Sequence, residues 1–591
     1  MAVRRGVALV LAVIGVTALV VMAGAVFLYV LVARGPSVPD RAALVLRPGG
    51  ELLDVRSDDV VGQVLGRDVT TLGSLLDALR KAARDPRIVA VVLRPSALES
   101  PLWGKVQELR DAILAFRRSG KPVVAYLEYG GDREYYLASA ADQVFLLPTS
   151  PLDLTGLASY EVFLRGALDK IGAYPDFLQI GAYKTAPNQL TQTGFTPAHR
   201  EMLESLNRDL YDQLVRGIAE ARRQTIGEVR ARLDQGPFAP EAARRAGLVD
   251  DLAYLDQLDD RVAALRTPAG AVALVEGSVY QRIDARDVGI RPTSRVAVLY
   301  AAGVITSGRS AYDPVNGPVV GSDTMVEQIQ RIRADDSIRA IVLRVDSPGG
   351  SSVASDVIWR ELMITRDAAP SRPLIASMSD LAASGGYYIA MPAHAIVAQP
   401  GTLTGSIGVF GGKIALGGAL ARFGVGTETV SSGRNADIDS PFAPFTPEQR
   451  DKLMAYMEDF YAGFVQKAAM ARHATPAQID AVARGRVWTG RQAQQQGLVD
   501  ALGGLDAAIA LAKRRAGIPA GEDVELVVYP PRRSLYDALT EQIGSARVAG
   551  WSEWGALAAG ADARALGALT APVRLFRRGE PLALMPYGFV R

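Results

Sequence analysis

The longest apolar segment of the chain lies at its amino terminus. Residues 6–33 contain no charged side chain and follow Arg4 and Arg5. A membrane-spanning helix needs about 20 apolar residues, whereas the apolar part of a signal peptide has about 7–15. The pattern therefore predicts a single uncleaved transmembrane helix over residues 6–33. Positively charged flanks stay in the cytoplasm, which places residues 1–5 inside and the rest of the chain outside.

Beyond this segment, short apolar runs alternate with amphipathic stretches. Apolar runs predict buried strands, and apolar positions three or four residues apart predict helices. In the second half of the chain the pattern predicts strands at 296–300, 340–345, 374–378 and 396–398, and helices at 323–333, 352–365 and 386–390. This is the order of βαβ units, so we predict an α/β fold with parallel strands and right-handed crossovers.

The first half of the pattern recurs in the second half at a spacing near 250 residues. Four pairs of segments match in the same order: 85–94 with 335–344, 135–138 with 387–390, 154–156 with 403–405, and 247–250 with 497–500. Ordered matches at a nearly constant offset indicate a tandem duplication. We therefore predict two α/β domains, at 41–265 and 293–520, each closed by a long helical stretch, at 197–234 and at 447–472. An extension of unclear role, either a packed helix or a helix lying on a membrane, follows at 530–591.

Ser384 lies where a predicted strand turns into a predicted helix, and two glycines follow it. Free N–H groups and the positive end of a helix dipole at this place suit a nucleophile whose product is an oxyanion. A serine before a helix is also the usual N-cap, so this window alone leaves both interpretations open. The duplication favours the nucleophile, because Asp132 takes the place of the serine in the first copy.

A Pro-Gly-Gly turn is the second feature that only one copy carries. Gly349 and Gly350 follow the predicted strand at 340–345, and residues 94–98 of the first copy have no such pair. A turn of this kind can present backbone N–H groups to an oxyanion, although most such turns are structural. The second copy is therefore predicted to be the reactive domain.

Composition limits the choice of a base for Ser384. The chain has 591 residues, no cysteine, three histidines and a net charge of +2, so neither thiol chemistry, a metal, a cofactor nor a nucleic-acid partner is indicated. His394 lies ten residues beyond Ser384, too far along a helix to act on it. A buried lysine can serve instead when its pKa is lowered, whereas arginine stays protonated.

Lys184 is one of only nine lysines and lies in a loop of small residues after a predicted strand at 176–180. Its approximate counterpart in the second copy is Arg434. The two copies thus differ in complementary ways, since one carries the serine and the other a titratable lysine. Position alone is more typical of a solvated surface lysine.

These segments resemble the long, tandem-domain form of bacterial signal peptide peptidase A, a membrane-anchored serine protease with the fold of the Clp protease and crotonase superfamily. The resemblance covers about residues 5–520. Besides the anchor and the duplication, it rests on segments 181–184, 346–351, 383–387 and 403–409. It implies two tandem Clp/crotonase-like βαβ domains after a single transmembrane helix.

The resemblance also implies roles for individual residues. Ser384 would be the nucleophile and Lys184, from the first domain, the general base. Backbone N–H groups of Gly349, Gly350 and Gly385 would form the oxyanion hole. Apart from the resemblance, Ser406 in the Thr-Gly-Ser segment 404–406 is a supporting candidate that would line the site or hydrogen-bond to the lysine. The family usually has asparagine where this chain has Asp346, so a hydrogen bond donated by that side chain is not expected here.

The function implied is that of a serine endopeptidase that degrades cleaved signal peptides and other apolar peptides. The resemblance further implies a homotetramer in the bacterial inner membrane, with its catalytic domains facing the periplasm. Two alternatives remain on sequence alone. One is a crotonase-like enzyme acting on acyl thioesters, and the other is a catalytically silent membrane scaffold that binds peptides.

Overall fold

The computed structural model of the chain describes residues 15–17, 19, 22–24, 38–54, 71–264, 272–313, 317–531, 581–585 and 589–590. The predicted anchor at 6–33 falls mostly outside these residues, as does most of the extension at 530–591. Within the described part of the chain, no helix has the length and apolar character needed to cross a membrane.

The first domain is built on a six-stranded sheet in which all strands are parallel. From edge to edge, its strands are Ala273–Glu276, Ala42–Leu46, Ile88–Leu93, Val123–Leu127, Gln143–Leu146 and Asp251–Leu252. Two of these strands, Ala42–Leu46 and Val123–Leu127, are buried along their whole length, as the continuous apolar runs of the sequence predict for a sheet covered on both faces.

The second domain repeats this sheet strand for strand. In the same spatial order, its parallel strands are Val524–Tyr529, Ser294–Ala302, Ile338–Ser347, Leu374–Ala383, Ala395–Ala398 and Ala501–Leu502. Two further strands, Leu403–Gly405 and Val487–Thr489, continue the sheet beside Leu374–Ala383. The α/β class and the tandem duplication are therefore confirmed. The outer strands Ala273–Glu276 and Val524–Tyr529 lie beyond the predicted ranges 41–265 and 293–520.

The duplicated segments make equivalent contacts in the two domains. Asp250 accepts hydrogen bonds from Arg222 and from a backbone N–H of the neighbouring strand, and Asp500 does the same with Arg472. Each aspartate thus ties the long helix of its domain to its sheet. This explains the Gly-Leu-Val-Asp repeat as a structural feature of both domains.

Helices cover the sheets and enclose the apolar cores. In the first domain they span Leu72–Arg84, Gly104–Arg117, Asp132–Ala138, Arg165–Ile171, Asn188–Thr191, Pro197–Arg222, Ile226–Leu233, Pro240–Arg245, Leu258–Ala264 and Gly277–Tyr280, with 3₁₀ turns at Leu255–Gln257 and Ala285–Val288. In the second domain they span Ser322–Ala334, Ser352–Ala368, Gly385–Ala390, Gly417–Arg422, Pro447–Arg472, Pro476–Val482, Gly490–Gln495 and Leu505–Arg515.

The longest helix of each domain begins at a Thr-Pro pair. Thr196 and Thr446 accept hydrogen bonds from backbone N–H groups of the first turn, and proline follows at the first helical position, where its missing N–H costs nothing. Pro447–Arg472 has the predicted bounds. The predicted helical stretch at 197–234 is divided into two helices, because Arg223 adopts a left-handed conformation that ends the first.

A third sheet joins the two domains. Its strands, in order, are Ala311–Asp313, Gly317–Gly321, Val304–Thr306, Gly349–Ser351, Leu582–Leu584, Val409–Ala415 and Tyr174–Ile180. Tyr174–Ile180 comes from the first domain and pairs antiparallel with Val409–Ala415 of the second over seven residues. Because this pairing fixes the end of Tyr174–Ile180 against the second domain, it also fixes the loop that follows.

Candidate active site

Ser384 lies at the junction predicted for it, between the strand Leu374–Ala383 and the helix Gly385–Ala390. Its backbone has φ 56° and ψ −112°, a conformation that is rare for a residue with a side chain. Strained positions of this kind persist only where the surroundings hold them, and here the backbone N–H of Ser384 donates to the Gly405 carbonyl at 2.8 Å. The sharp turn presents the serine at the end of a parallel strand.

The strand before Ser384 extends five residues beyond the predicted end at 378. The prediction ended it at Ser379 and Asp380, which are polar. Both are buried and hydrogen-bonded: the Ser379 carbonyl accepts from Thr402, and Asp380 accepts from the Lys105 backbone N–H at 2.8 Å. Their polar groups are satisfied by tertiary contacts, so the strand continues to the serine.

The loop after Tyr174–Ile180 brings Lys184 to the serine. Lys184 Nζ lies 2.7 Å from Ser384 Oγ, although the two residues are 200 positions apart in the chain. Nζ also donates to the Ser406 carbonyl at 3.1 Å and lies 3.0 Å from Ser406 Oγ. Ser384, Lys184 and Ser406 therefore form one hydrogen-bonded group across the domain boundary.

Lys184 is buried, with no part of its side chain exposed to solvent. Desolvation by this burial lowers the pKa of Lys184 well below its ordinary value of 10.5. Among the described residues no carboxylate contributes to this shift. A lysine in such a place is neutral over a wide pH range and can accept a proton from the serine hydroxyl beside it.

The three glycines predicted to surround the reacting centre lie close together. A Cβ atom on Gly349 would be 2.7 Å from the backbone nitrogen of Gly385, and one on Gly385 would be 3.1 Å from the nitrogen of Gly350. Gly349 and Gly350 have φ of +100° and +153°, which other residues rarely adopt. Only glycine therefore permits this close approach of backbone N–H groups beside Ser384. The N–H of Gly349 donates to Ser347 Oγ at 3.2 Å.

Asp346, which precedes the Pro-Gly-Gly turn, forms an ion pair and donates no hydrogen bond to any residue that the structure describes. Its carboxylate lies 2.6 Å from Nζ of Lys105, a buried lysine of the first domain. The neighbouring carboxylates of Asp346 and Asp380 outweigh desolvation and raise the pKa of Lys105. The first domain thus holds the turn through a charged lysine.

Two other candidates considered in the sequence lie elsewhere. His394 Nδ1 lies 3.1 Å from the backbone nitrogen of Leu374, at the opposite end of the strand from Ser384. Arg434 is exposed in a turn outside the site. The structure thus brings Ser384, Lys184, Ser406 and the three glycines together and leaves the histidine and the arginine apart.

Sequence reasoning missed Gly485, which permits the lysine to approach. Gly485 has φ +82°, and a Cβ atom there would lie 2.4 Å from the backbone nitrogen of Lys184. Its own N–H donates to the Ile407 carbonyl at 2.7 Å, next to Ser406. The Ala-Arg-Gly-Arg sequence around it carries no signal that distinguishes it from a surface turn, so only the tertiary structure identifies it.

Sequence reasoning also missed a buried ion cluster at the domain boundary. Arg344, with 1% of its side chain exposed, lies 2.9 Å from Asp54 and 2.7 Å from Glu108 of the first domain. Despite desolvation, the two carboxylates raise the pKa of Arg344, so it stays charged. An arginine at the end of an apolar strand, present in both copies as Arg94 and Arg344, was the available signal.

Comparison with known proteins shows where the chain is similar to others. The model described as "Peptidase family S49" matches residues 115–267 and 366–519, together more than half of the chain. The chloroplastic serine protease SPPA of Arabidopsis thaliana is 36% identical, over 80% of this chain and 69% of that protein. Protease 4 of Salmonella typhi is 34% identical, over 80% of this chain and 78% of that protein.

Among solved structures, the K138A mutant of the 1510-N membrane-bound stomatin-specific protease, in complex with a substrate peptide, matches 42% of this chain and 97% of its own length. The identity is 16% and the TM-score 0.26.

Proposed function

From the premise that this chain belongs to peptidase family S49, as a serine protease of the SppA type, we propose that it degrades cleaved signal peptides and other apolar peptides through a dyad of Ser384 and Lys184. The observation that carries this proposal is the 2.7 Å distance between Lys184 Nζ and Ser384 Oγ in a buried site. Family membership confirms the predicted serine peptidase and argues against an acyl-thioester enzyme and a silent scaffold.

In the proposed reaction, neutral Lys184 accepts the hydroxyl proton of Ser384 while Oγ attacks the peptide carbonyl. Lys184 then gives this proton to the departing amine, so the peptide bond breaks and an acyl-enzyme remains. A water molecule then loses a proton to Lys184 and attacks the ester. Lys184 returns this proton to Ser384 Oγ as the acid leaves, which restores the serine hydroxyl and the neutral lysine. Ser406 keeps the lysine amine directed at Ser384 through the two contacts described above.

The developing oxyanion is assigned to backbone N–H groups at the glycine cluster. Gly385 follows the nucleophile and lies at the start of a helix, where N–H groups have no partner within the helix. Gly349 approaches it closely. Gly350 completes the group of three and belongs to the strand on which a peptide would lie. Donors of this kind favour the transition state because they are already oriented.

The proposal also includes the cellular setting. Residues 6–33 would anchor the chain as a single-pass protein of the bacterial inner membrane, with both domains, of the Clp/crotonase type, facing the periplasm. Apolar peptides left in or near a bilayer would be the available substrates. Assembly into a homotetramer is a further part of the proposal, to be measured by the mass of the detergent-solubilised protein.

Hydrolysis of an apolar fluorogenic peptide by the purified full-length chain tests the proposed function. We expect the wild-type protein to release the fluorophore and Ser384→Ala to reduce the rate by at least about 10³-fold, because the nucleophile is lost. Ser432→Ala, which changes an exposed serine, is the matched control and should keep the wild-type rate. Equal rates for wild type and Ser384→Ala would contradict the proposal.

Ser406→Ala should weaken the reaction without abolishing it. The Ser406 carbonyl still accepts from Lys184, so only the side-chain hydrogen bond is lost. One such bond is worth about 1 kcal/mol, which corresponds to a kcat about fivefold lower. Steady-state kinetics measure the change, with the circular dichroism melting curve as a check on folding. A kcat equal to that of the wild type would show that the Ser406 hydroxyl does not support the lysine.

A further inference from the structure

A segment near the carboxyl terminus lies in the sheet that carries the Gly-Gly strand. Leu582–Leu584 forms a strand between Gly349–Ser351 and Val409–Ala415 and runs antiparallel to both. Neighbouring strands of a sheet lie about 4.8 Å apart, so the two flanking strands enclose a slot that one extended peptide fills. The chain's own residues 581–585 fill it here.

The backbone contacts of this segment are those of a peptide bound beside the reacting centre. The Met585 N–H donates to the Pro348 carbonyl at 2.8 Å, and Ala583 pairs with Gly350. Hydrogen-bonded pairs alternate along an antiparallel ladder, so Gly349, between them, has its N–H directed away from the segment. The segment therefore uses the ladder positions on either side of Gly349, and the Gly349 N–H, which donates to Ser347 Oγ, lies outside the slot.

The side chains of the segment are buried as well. Leu582 and Leu584 point to the same side of their strand and join an apolar cluster with Val304 and Phe410. Each of the residues 582–585 is at most 8% exposed. The slot thus binds an extended peptide by its backbone and by alternate apolar side chains.

Met585 occupies a different apolar cluster, which both domains form. Its partners include Ala383, the residue before Ser384, together with Met202 of the first domain and Leu403 and Val487 of the second. The end of the segment therefore belongs to the same apolar cluster as the immediate neighbour of the proposed nucleophile. The sequence Pro-Leu-Ala-Leu-Met has the apolar character proposed for the substrate.

We propose that residues 581–585 are a built-in occupant of the substrate slot, so that the extension restrains the enzyme by competing with peptide substrates. This inference rests on the proposed function, because the competition concerns the same site. An occupant that is part of the chain stays at a high local concentration. Peptide binding then requires its displacement, and the apparent affinity for substrate falls by the fraction of molecules in which the slot is open.

The test compares the full-length wild-type chain with Leu582→Asp/Leu584→Asp, which places two charges in the apolar cluster. We expect KM for an apolar fluorogenic peptide to fall about tenfold, with kcat within about twofold of the wild type. Val430→Asp, which adds a charge at an exposed position, is the matched control and should change neither constant. An unchanged or higher KM would overturn the proposal.

A second variant tests whether KM also falls when the segment is weakened without adding charge to the sheet. Ala583→Pro removes one N–H from the ladder without adding charge and should lower KM in the same direction. If melting curves show that one variant is unfolded, the KM of the other variant decides whether the segment competes with substrate. If both fold and neither lowers KM, the segment does not compete with substrate.

A peptide-binding experiment tests this inference independently of the proposed hydrolysis. A fluorescent peptide with the sequence of residues 579–587 should bind to Ser384→Ala that also carries Leu582→Asp/Leu584→Asp, and at least about tenfold more weakly to Ser384→Ala alone. A peptide of the same composition in scrambled order is the control. This result supports the occupied slot even if no hydrolysis is found, whereas equal binding to both proteins overturns it.

Discussion

Lys184→Met is expected to abolish peptide hydrolysis as completely as Ser384→Ala does. The two groups act in one proton transfer, and members of a catalytic unit fail together. Methionine fills the same buried space without a basic nitrogen, so a loss of at least about 10³-fold in kcat is the expected result. Lys170→Met, at an exposed position in the same domain, is the matched control and should keep wild-type activity.

Lys184→Arg should be inactive too. The guanidinium of arginine stays protonated in proteins and cannot act as a base. Activity in Lys184→Met, or in Lys184→Arg, would show that another group serves as the base.

The pH dependence of the wild-type rate follows from the burial of Lys184. Burial lowers the pKa of Lys184 well below 10.5, and only the neutral amine can accept the proton of Ser384. The rate should therefore rise with pH and reach its plateau well below pH 10.5. A profile that still rises near pH 10.5 would mean that the lysine is solvated in the working enzyme.

The same burial has a consequence for stability. A lysine whose pKa is lower in the folded state binds fewer protons there than in the unfolded state, so the free energy of unfolding increases with pH between the two pKa values. The burial therefore destabilises the wild-type protein at every pH below the ordinary pKa of 10.5, and most strongly below the folded-state pKa. Lys184→Met should unfold at a higher temperature than the wild type at neutral pH, and the difference should shrink towards pH 10.5.

Arg344→Met is expected to lower the free energy of unfolding by about 3–5 kcal/mol, the largest effect on stability among the substitutions considered. The substitution leaves Asp54 and Glu108 buried without their cation, and an uncompensated buried charge is costly. Denaturant unfolding followed by circular dichroism measures the loss. Because the partners belong to the two domains, the transition should also become less cooperative.

The duplication provides the control for this prediction. Arg94 holds the equivalent strand position in the first domain, but its partner Glu128 is 56% exposed. Ion pairs open to solvent contribute about 0–1 kcal/mol, so Arg94→Met should have a small effect. Equal losses for the two substitutions would mean that the buried cluster contributes no more than the exposed pair.

Much of the fold follows from local patterns. The helix Pro447–Arg472 and the strands around Ile338–Ser347 and Ala395–Ala398 agree with the predicted elements within two residues, because continuous apolar runs and Thr-Pro caps act locally. The strand Leu374–Ala383 was underestimated, since partners from distant segments satisfy its polar end. Local propensity carries no information on such partners.

In the candidate site, too, some residues could be identified from local sequence and others only from tertiary contacts. Ser384 could be identified from the strand-to-helix junction at which it lies, from the glycines after it and from its absence in the other copy. All three features can be read from the sequence. Lys184 could be proposed as its partner only by elimination and resemblance, because 200 residues separate the two. Gly485 and Lys105 carried no local signal, since their importance lies in what another domain places against them.

The sequence by itself determined the α/β class, the duplication and the loss of the glycine turn and serine from the first copy, because periodicity and repetition are properties of the order of residues. Only the tertiary structure decided how the copies meet. Pairing of Tyr174–Ile180 with Val409–Ala415 carries Lys184 into a buried site beside Ser384. The register of this strand pairing and the desolvation of the lysine both depend on what surrounds a residue in space. Together they turn an ordinary lysine into a candidate base.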